Sequence, residues 1–216
     1  MSETHDQILH LRKDNSQAQL DEMSALADPV LQFGQWMEEA LSAEIKEPNA
    51  MALATQDADG RISNRIVLLR GYDASGFRFF TNYKSRKGSA LAAQPFAALT
   101  FFWPELERQI RIEGTVEKTS AEESDTYYFS RPRGNRLGAW ASPQSEEIAG
   151  REVLEGRMEQ YQSHFDGQEV SRPEHWGGYR LSPDRIEFWQ GRPSRLHDRI
   201  LYKLEAGKWE KVRLAP

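Results

Sequence analysis

Apolar positions along the chain change period several times, and each change marks an element. Residues 1–27 carry only a short helical pattern, Ile8, Leu9 and Leu11, inside polar sequence, which predicts a mobile arm ahead of a single domain over residues 28–216. Asp28-Pro29 reads as an N-cap followed by proline at the first helical position. Val30, Phe33, Met37, Ala40 and Leu41 then fall on one helical stripe that should end before Pro48. From Ala50 the period drops to two: AMALATQD, the turn Asp57-Ala58-Asp59-Gly60 and RISNRIVLLR predict a β-hairpin. FRFFTN predicts a third strand after the turn Asp73-Ala74-Ser75-Gly76, and Ser85 opens a short helix through Ala93. FAALTFFW and RQIRIEGTVEK predict two more strands, the second with Ile110 and Ile112 alternating with Arg111 and Glu113 as on a sheet with one wet face.

Ser120 with Glu123 makes a capping-box pattern for a helix through Tyr128, and Leu154, Met158, Tyr161 and Phe165 mark another. After Pro173, GGYRLS with RIEFWQG and DRILYKLE with KWEKVRL predict two hairpin-like pairs, the second turning at Glu205-Ala206-Gly207. Short strands with a few interposed helices predict a mainly β, α+β fold: an antiparallel barrel decorated by peripheral helices rather than alternating βαβ units.

Composition narrows the chemistry. With 216 residues and no cysteine there is neither a disulfide nor a thiolate nucleophile nor a cysteine-held metal, and 23 aromatic residues (Trp 6, Tyr 7, Phe 10) supply the bulk that disordered chains lack. The polar N-terminus has no signal-peptide core, and the longest apolar run, Phe96 to Trp103, is far short of the ~20 residues of a membrane helix, so a cytoplasmic protein with no membrane partner is expected. His5, His10, His164, His175 and His197 show no metal-binding spacing, so no metal is expected, and GxSxG, Walker and GxGxxG motifs are missing.

The net charge of -5 is uneven: 3 Lys/Arg against 12 Asp/Glu over residues 1–60 give -9, 13 against 8 over 61–140 give +5, and 12 against 13 over the remainder give -1. An arginine-rich middle inside an acidic protein suits a small phosphorylated ligand better than nucleic acid. The donors are Arg65 and Arg70 at the ends of an apolar strand, Arg86-Lys87 at a helix start, and Arg131, Arg133 and Arg136 after another helix. Near the C-terminus, Trp189, Arg195, His197, Asp198 and Arg199 crowd one turn and two strand ends, a grouping able to hold a planar anion.

RIVLLR (65–70), FFTNYKSRKG (79–88), RQIRIEG (108–114), YYFSRPRGNRLGAWASPQS (127–145), WGGY (176–179), EFWQG (187–191), RLHDR (195–199) and the final RLAP follow one another in an order that resembles the pyridoxine/pyridoxamine 5'-phosphate oxidases from about Asp28 to Pro216. The resemblance implies an FMN-binding split β-barrel of antiparallel, Greek-key type, and a homodimer with two flavin sites at the subunit interface. It implies oxidation of pyridoxine or pyridoxamine 5'-phosphate to pyridoxal 5'-phosphate by dioxygen, with release of hydrogen peroxide, and of ammonia from the amine. By the same resemblance FMN would meet Arg65, Ile66, Val67, Leu68, Leu69, Arg70, Phe80, Thr81, Arg86, Lys87, Gln109, Gln144, Ser145, Trp189 and Arg199, with Arg65, Arg86 and Lys87 on the phosphate side. The substrate phosphate would meet Arg70, Tyr128, Arg131 and Asn135; Arg12 would reach the substrate from the arm; and the pyridine ring would lie against Arg195, Leu196 and His197, with Arg195 and His197 orienting it. Arg70 stands where the family usually has Lys, Asn135 where it has Ser, and Asn15 where some members have Tyr, so the departures fall on the substrate side. Two other readings share these residues: the related oxidases of phenazine biosynthesis, and a non-catalytic flavin- or vitamer-binding protein.

Overall fold

The computed structural model describes residues 18–216, so Arg12 and Asn15 lie outside the described residues. The described chain divides into two compact units: one holds the residues up to Pro48, Phe101–Arg111 and Arg185–Pro216, the other Asn49–Thr100 and Ile112–Asp184.

In the first unit, helix α1 spans Pro29–Ser42, and Asp28 caps it by accepting from the backbone N–H of Val30 at 2.7 Å and Leu31 at 3.3 Å. Its buried stripe is Pro29, Gln32, Phe33, Trp36, Met37 and Ala40. Leu41, expected on that stripe, is 60% exposed, because it lies about 40° of helix beyond Met37, the edge of the buried face on that side. Phe33 meets Phe101 edge-on at 5.2 Å and Trp36 meets Phe188 at 5.1 Å, each fully buried ring contributing roughly 1.5–3 kcal/mol. Strands β8 (Asp198–Glu205) and β9 (Lys208–Arg213) form the expected hairpin; Ala206 (φ 48°) and Gly207 (φ 78°) give it the two left-handed positions of a tight turn. Residues 18–26, part of the expected arm, are tied to this hairpin. Tyr202 Oη donates to Leu26 O at 2.6 Å, Lys211 Nζ to Glu22 O and Ala25 O at 2.8 and 2.7 Å, and Leu20 N to Asp198 Oδ2 at 3.2 Å, with Leu20 buried.

The second unit holds the antiparallel pair β1 (Ala50–Gln56) and β2 (Ile62–Leu68), in register from Ala50 opposite Leu68 to Gln56 opposite Ile62. It also holds β3 (Gly71–Asp73) and β4 (Gly76–Asn82), whose turn brings Gly76 (φ 132°) so close to the next strand that a Cβ would lie 2.1 Å from Leu181 O. With β5 (Phe96–Trp103), β6 (Arg108–Lys118) and β7 (Trp176–Gln190), the strand order is β2-β1-β5-β6-β7-β4-β3, continued from β7 by β8 and β9. GGYRLS and RIEFWQG are therefore one strand, not two arms of a hairpin. The buried phase switches from Tyr179 and Leu181 to Ile186 and Phe188 across Ser182-Pro183-Asp184, a bend that reads in sequence as a turn.

Four helices flank these strands: α2 (Arg86–Ala93, capped by Ser85), α3 (Ala121–Ser130, with the expected Ser120/Glu123 capping box), α4 (Arg133–Ala141) and α5 (Arg151–His164). Among the described residues no helix is long and apolar enough to cross a membrane.

Candidate active site

The second unit encloses a cavity of about 600 Å³. Strand β2 presents Arg65, Ile66, Val67 and Leu68 to it, with Arg70 just beyond, and β4 presents Phe80, Thr81 and Asn82. Helix α2 contributes Lys87, the end of α3 Tyr127 and Ser130, the link to α4 Arg131 and Pro132, and α4 Asn135; Gln144 and Trp176 complete the wall. Four cations and no carboxylate line it, a balance that favours a phosphorylated or carboxylated ligand.

These cations are held by neutral groups. Arg65 Nη1 donates to Leu53 O at 2.9 Å and Thr55 Oγ1 at 2.8 Å, and its Nη2 to Ser63 Oγ, across the β1–β2 register. Lys87 Nζ donates to Gln144 Oε1 at 2.8 Å and to Thr81 Oγ1 and Ser85 Oγ, each at 3.2 Å. Burial, and then the neighbouring Arg65 charge, hold the Lys87 amine down at about 8. Burial likewise lowers Arg65 and Arg131 from the ordinary arginine range, and Arg131 Nη1 is buried without a hydrogen-bond partner.

The depressed Lys87 sets a pH dependence. Between about 8 and its ordinary value of 10.5, Lys87 is protonated in the unfolded chain and neutral in the folded one, so the unliganded protein gains stability as pH rises through that window. Anion binding runs the other way, because it needs the proton back. Affinity for a phosphate-bearing ligand should fall by up to tenfold per pH unit above 8 and be flat just below, which titration of ligand binding between pH 7 and 9.5 would measure.

Several residues named from sequence stand elsewhere. Tyr128, expected at the substrate phosphate, is fully buried and donates its hydroxyl to Arg136 O at 3.0 Å; its neighbour Tyr127 lines the cavity instead. Leu69 turns into the core, its backbone N–H donating to Asn49 O at 2.8 Å. Arg86 is held by Asp57, its Nε and Nη2 donating at 3.0 and 2.6 Å, and it does not line the cavity. Ser145 (φ 75°) is exposed beside Gln144 and also off the lining. Asn82, Tyr127, Ser130, Pro132 and Trp176 line the cavity in addition to the expected residues, and each stands inside a quoted motif: FFTNYKSRKG, YYFSRPRGNRLGAWASPQS or WGGY.

The remaining named residues, Gln109, Trp189, Arg195, Leu196, His197 and Arg199, belong to the first unit. Arg199 makes a two-pronged contact with the buried Glu187, Nε to Oε1 at 2.8 Å and Nη2 to Oε2 at 3.0 Å, which raises its pKa. The Trp189 and His197 rings are 4.6 Å apart. His197 Nδ1 faces the backbone N–H of Arg192 at 3.1 Å; since that group only donates, Nδ1 is the acceptor and the ring proton is assigned to Nε2. Ser194 (φ 56°) and Arg195 (φ 61°) are consecutive left-handed residues in an exposed 3₁₀ turn over Pro193–Arg195, a conformation that costs roughly 1–3 kcal/mol per residue and is retained where surroundings or function require it.

Antiparallel strands in this order, flanked by helices and carrying a cation-walled cavity, define a split-barrel protein with an anion-receiving site. Residues 37–165 match the family model described as pyridoxamine 5'-phosphate oxidase, and residues 176–216 match the pyridoxine 5'-phosphate oxidase C-terminal dimerisation region. The chain belongs to the pyridoxamine 5'-phosphate oxidase family, whose members are FMN-dependent oxidoreductases. It is 58% identical to the pyridoxine/pyridoxamine 5'-phosphate oxidase of Cupriavidus pinatubonensis over 97% of this chain and 99% of that one, and 59% identical to that of Burkholderia cenocepacia with the same coverage. Among solved structures it is similar to PhzG from Burkholderia lata in complex with tetrahydrophenazine-1-carboxylic acid (TM-score 0.87, 32% identity, 94% of this chain and 100% of that one). It shares its fold with an FMN-binding protein from Nostoc punctiforme (TM-score 0.67, 19% identity, 84% and 96%).

Proposed function

We propose that this chain, as an FMN-loaded homodimer, oxidises pyridoxine 5'-phosphate and pyridoxamine 5'-phosphate to pyridoxal 5'-phosphate, with dioxygen as the terminal acceptor. The overall balance is one dioxygen in and one hydrogen peroxide out per aldehyde, with a water consumed and ammonia released for the amine. The observation that carries the reading is the cavity of four cations without a carboxylate. The names of the relatives then supply the chemical class of the phosphorylated ligands. The match of residues 176–216 to a dimerisation region supports the homodimer, as do the exposed side chains of Ile62, Ile66, Phe96 and Phe102.

The donor set fits FMN: Arg65 and Lys87 are cations whose described hydrogen-bond partners are all neutral, with Asp57 the one carboxylate whose charge reaches Arg65, so a phosphate group would meet net positive charge there. When bound, FMN supplies the two-electron acceptor for the hydride leaving C4' of the substrate. Arg65 and Lys87 hold the flavin phosphate, Thr81 and Gln144 keep Lys87 aimed, and the backbone of 65–68 with Phe80 lines the remainder. Arg70, Tyr127, Arg131 and Asn135 take the substrate phosphate. Gln109, Trp189 and Arg199 serve the flavin, while Arg195 and His197 orient the pyridine, His197 through the Nε2 proton. The chain's contribution is chiefly orientation and charge.

The test is aerobic turnover of purified, FMN-supplemented protein with each of the two phosphorylated vitamers, following aldehyde and peroxide. One peroxide per aldehyde supports the reading, whereas bound flavin without product from either substrate overturns it in favour of a related substrate, the reading that the similarity to PhzG favours.

A further inference from the structure

Away from the cavity, most arginines of the second unit pair with carboxylates: Arg78 with Asp73 and Glu123, Arg180 with Glu123, Arg172 with Asp125, and Arg136 with Glu169. Arg133 and Arg157 are instead held by backbone carbonyls, of Gln168 and Phe165 and of Ala141. At the cavity, Arg70 and Arg131 have no carboxylate partner among the described residues and lie on rings instead. Arg131 Cζ is 4.5 Å from the Trp176 ring centre, and Arg70 Cζ is 5.6 Å from that of Tyr127. These two rings and Phe80 are within 26° of parallel, with Phe80 4.1 Å from Tyr127 and 5.8 Å from Trp176.

We propose that Trp176 is a positioning residue for phosphate recognition: with Phe80 and Tyr127 it forms an aromatic platform that fixes the Arg131 guanidinium without neutralising it. The inference rests on the phosphorylated-substrate reading above and names what holds its phosphate donor. A carboxylate would hold Arg131 equally well, but it would cancel the charge and occupy the N–H fork that a phosphate needs. A ring face attracts the cation through its quadrupole and leaves the in-plane donors free. Arg131 makes no side-chain hydrogen bond to a described residue, and its Nη1 is buried without a partner.

The platform is itself held rigidly. Trp176 is 7% exposed and pairs with Asn82 in the β4–β7 register; its backbone O accepts from Arg172 Nη1 at 2.8 Å. Opposite Phe80 stands Gly178, where a Cβ would fall 2.7 Å from the Phe80 ring and 2.4 Å from Thr119 Oγ1, so the second glycine of WGGY leaves the room that Phe80 occupies.

The experiment measures dissociation constants of the FMN-loaded protein for pyridoxal 5'-phosphate and for unphosphorylated pyridoxal, in wild type, Trp176→Leu, Trp176→Phe, Arg131→Gln and the Trp176→Leu/Arg131→Gln double variant. Trp176→Leu should weaken pyridoxal 5'-phosphate roughly three- to thirtyfold, the span of a cation–π contact between exposed and desolvated settings, and leave pyridoxal within twofold. Trp176→Phe should recover most of the loss. In the Arg131→Gln background the Trp176→Leu change should add less than twofold, since the ring then has no cation to aim. Equal weakening of both ligands, or full additivity of the two substitutions, assigns Trp176 a merely structural role and overturns the proposal; if Trp176→Leu does not fold, Trp176→Met in both backgrounds decides by the same criterion. Wild-type protein that does not distinguish pyridoxal 5'-phosphate from pyridoxal would instead sink the phosphorylated-substrate reading itself.

Discussion

Lys87→Met lowers FMN affinity by about two orders of magnitude and leaves the unliganded protein at least as stable as the wild type. Each half of this expectation follows from the same geometry. Lys87 is a half-buried amine whose described partners, Gln144, Thr81 and Ser85, are neutral, and beside it Arg65 repels its charge. With no phosphate present its protonation is a cost, which is why its pKa falls to about 8. Methionine keeps the length of the stem and removes that cost. The side chains left behind remain satisfied: Thr81 Oγ1 still donates to Gln144 Oε1 at 3.2 Å, and Ser85 Oγ still donates to Asn82 O at 2.7 Å. With FMN present, a charge-assisted hydrogen bond of roughly 1.5–3 kcal/mol is lost, a weakening of about ten- to 160-fold. Thermal unfolding of apoprotein and fluorescence titration with FMN, both at pH 7, measure the two halves. A Tm well below wild type would make Lys87 a structural residue, and an unchanged FMN affinity would place the flavin phosphate elsewhere. The variant should also lose the fall in affinity above pH 8, since the group responsible is gone.

Much of this site is written locally in the sequence, and the parts that are not share a physical reason. Asp28, Ser85 and the Ser120/Glu123 pair are legible because a cap is a short-range arrangement that needs the right side chain at a fixed spacing. Of the cavity donors, Lys87 follows the Ser85 cap and Arg131 closes the helix that Ser120 opens, whereas Arg65, expected at a strand end, stands in the middle of β2 and is placed by its pairing with β1. Helix α4 escapes the sequence because Gly134 and Gly138 depress its propensity and no side chain caps it; packing of Leu137 with Phe165 and Val170 makes up the difference. Tyr127 and Tyr128 are the sharpest case: adjacent helical residues point 100° apart, and local pattern does not say which one faces inward. Tyr128 goes inward because it packs against Trp176 and Ala139, residues far along the chain, and Tyr127 is thereby turned to the cavity. β7 departs from the expected hairpin for the converse reason, a proline and a change of phase that mark a bend here and a turn in most other contexts.

Arg195→Glu should reduce turnover by about three orders of magnitude while the purified protein stays yellow. Arg195 makes no hydrogen bond or ion pair with any described residue, is exposed, and lies in a left-handed 3₁₀ turn with Ser194. Its side chain therefore adds little to the fold, and glutamate meets the same backbone cost. Arginine kept in such a conformation without a partner of its own is consistent with a partner that arrives as ligand. Under the proposed function that partner is an anionic substrate, so glutamate both removes an orienting donor and places a like charge beside a phosphorylated molecule. Loss of one positioned donor at a reacting centre costs on the order of 10²–10³ in rate, and charge reversal extends it. Arg195→Lys keeps the charge but not the planar fork, and should fall between the two, with KM less affected than kcat. Arg65 and Lys87, proposed above as donors to the flavin phosphate, belong to the other unit, and their hydrogen bonds do not involve Arg195. Absorbance near the flavin band and steady-state kinetics on the same preparations separate the outcomes. A colourless Arg195→Glu protein would move Arg195 to the cofactor, and turnover within threefold of wild type would remove it from the site altogether.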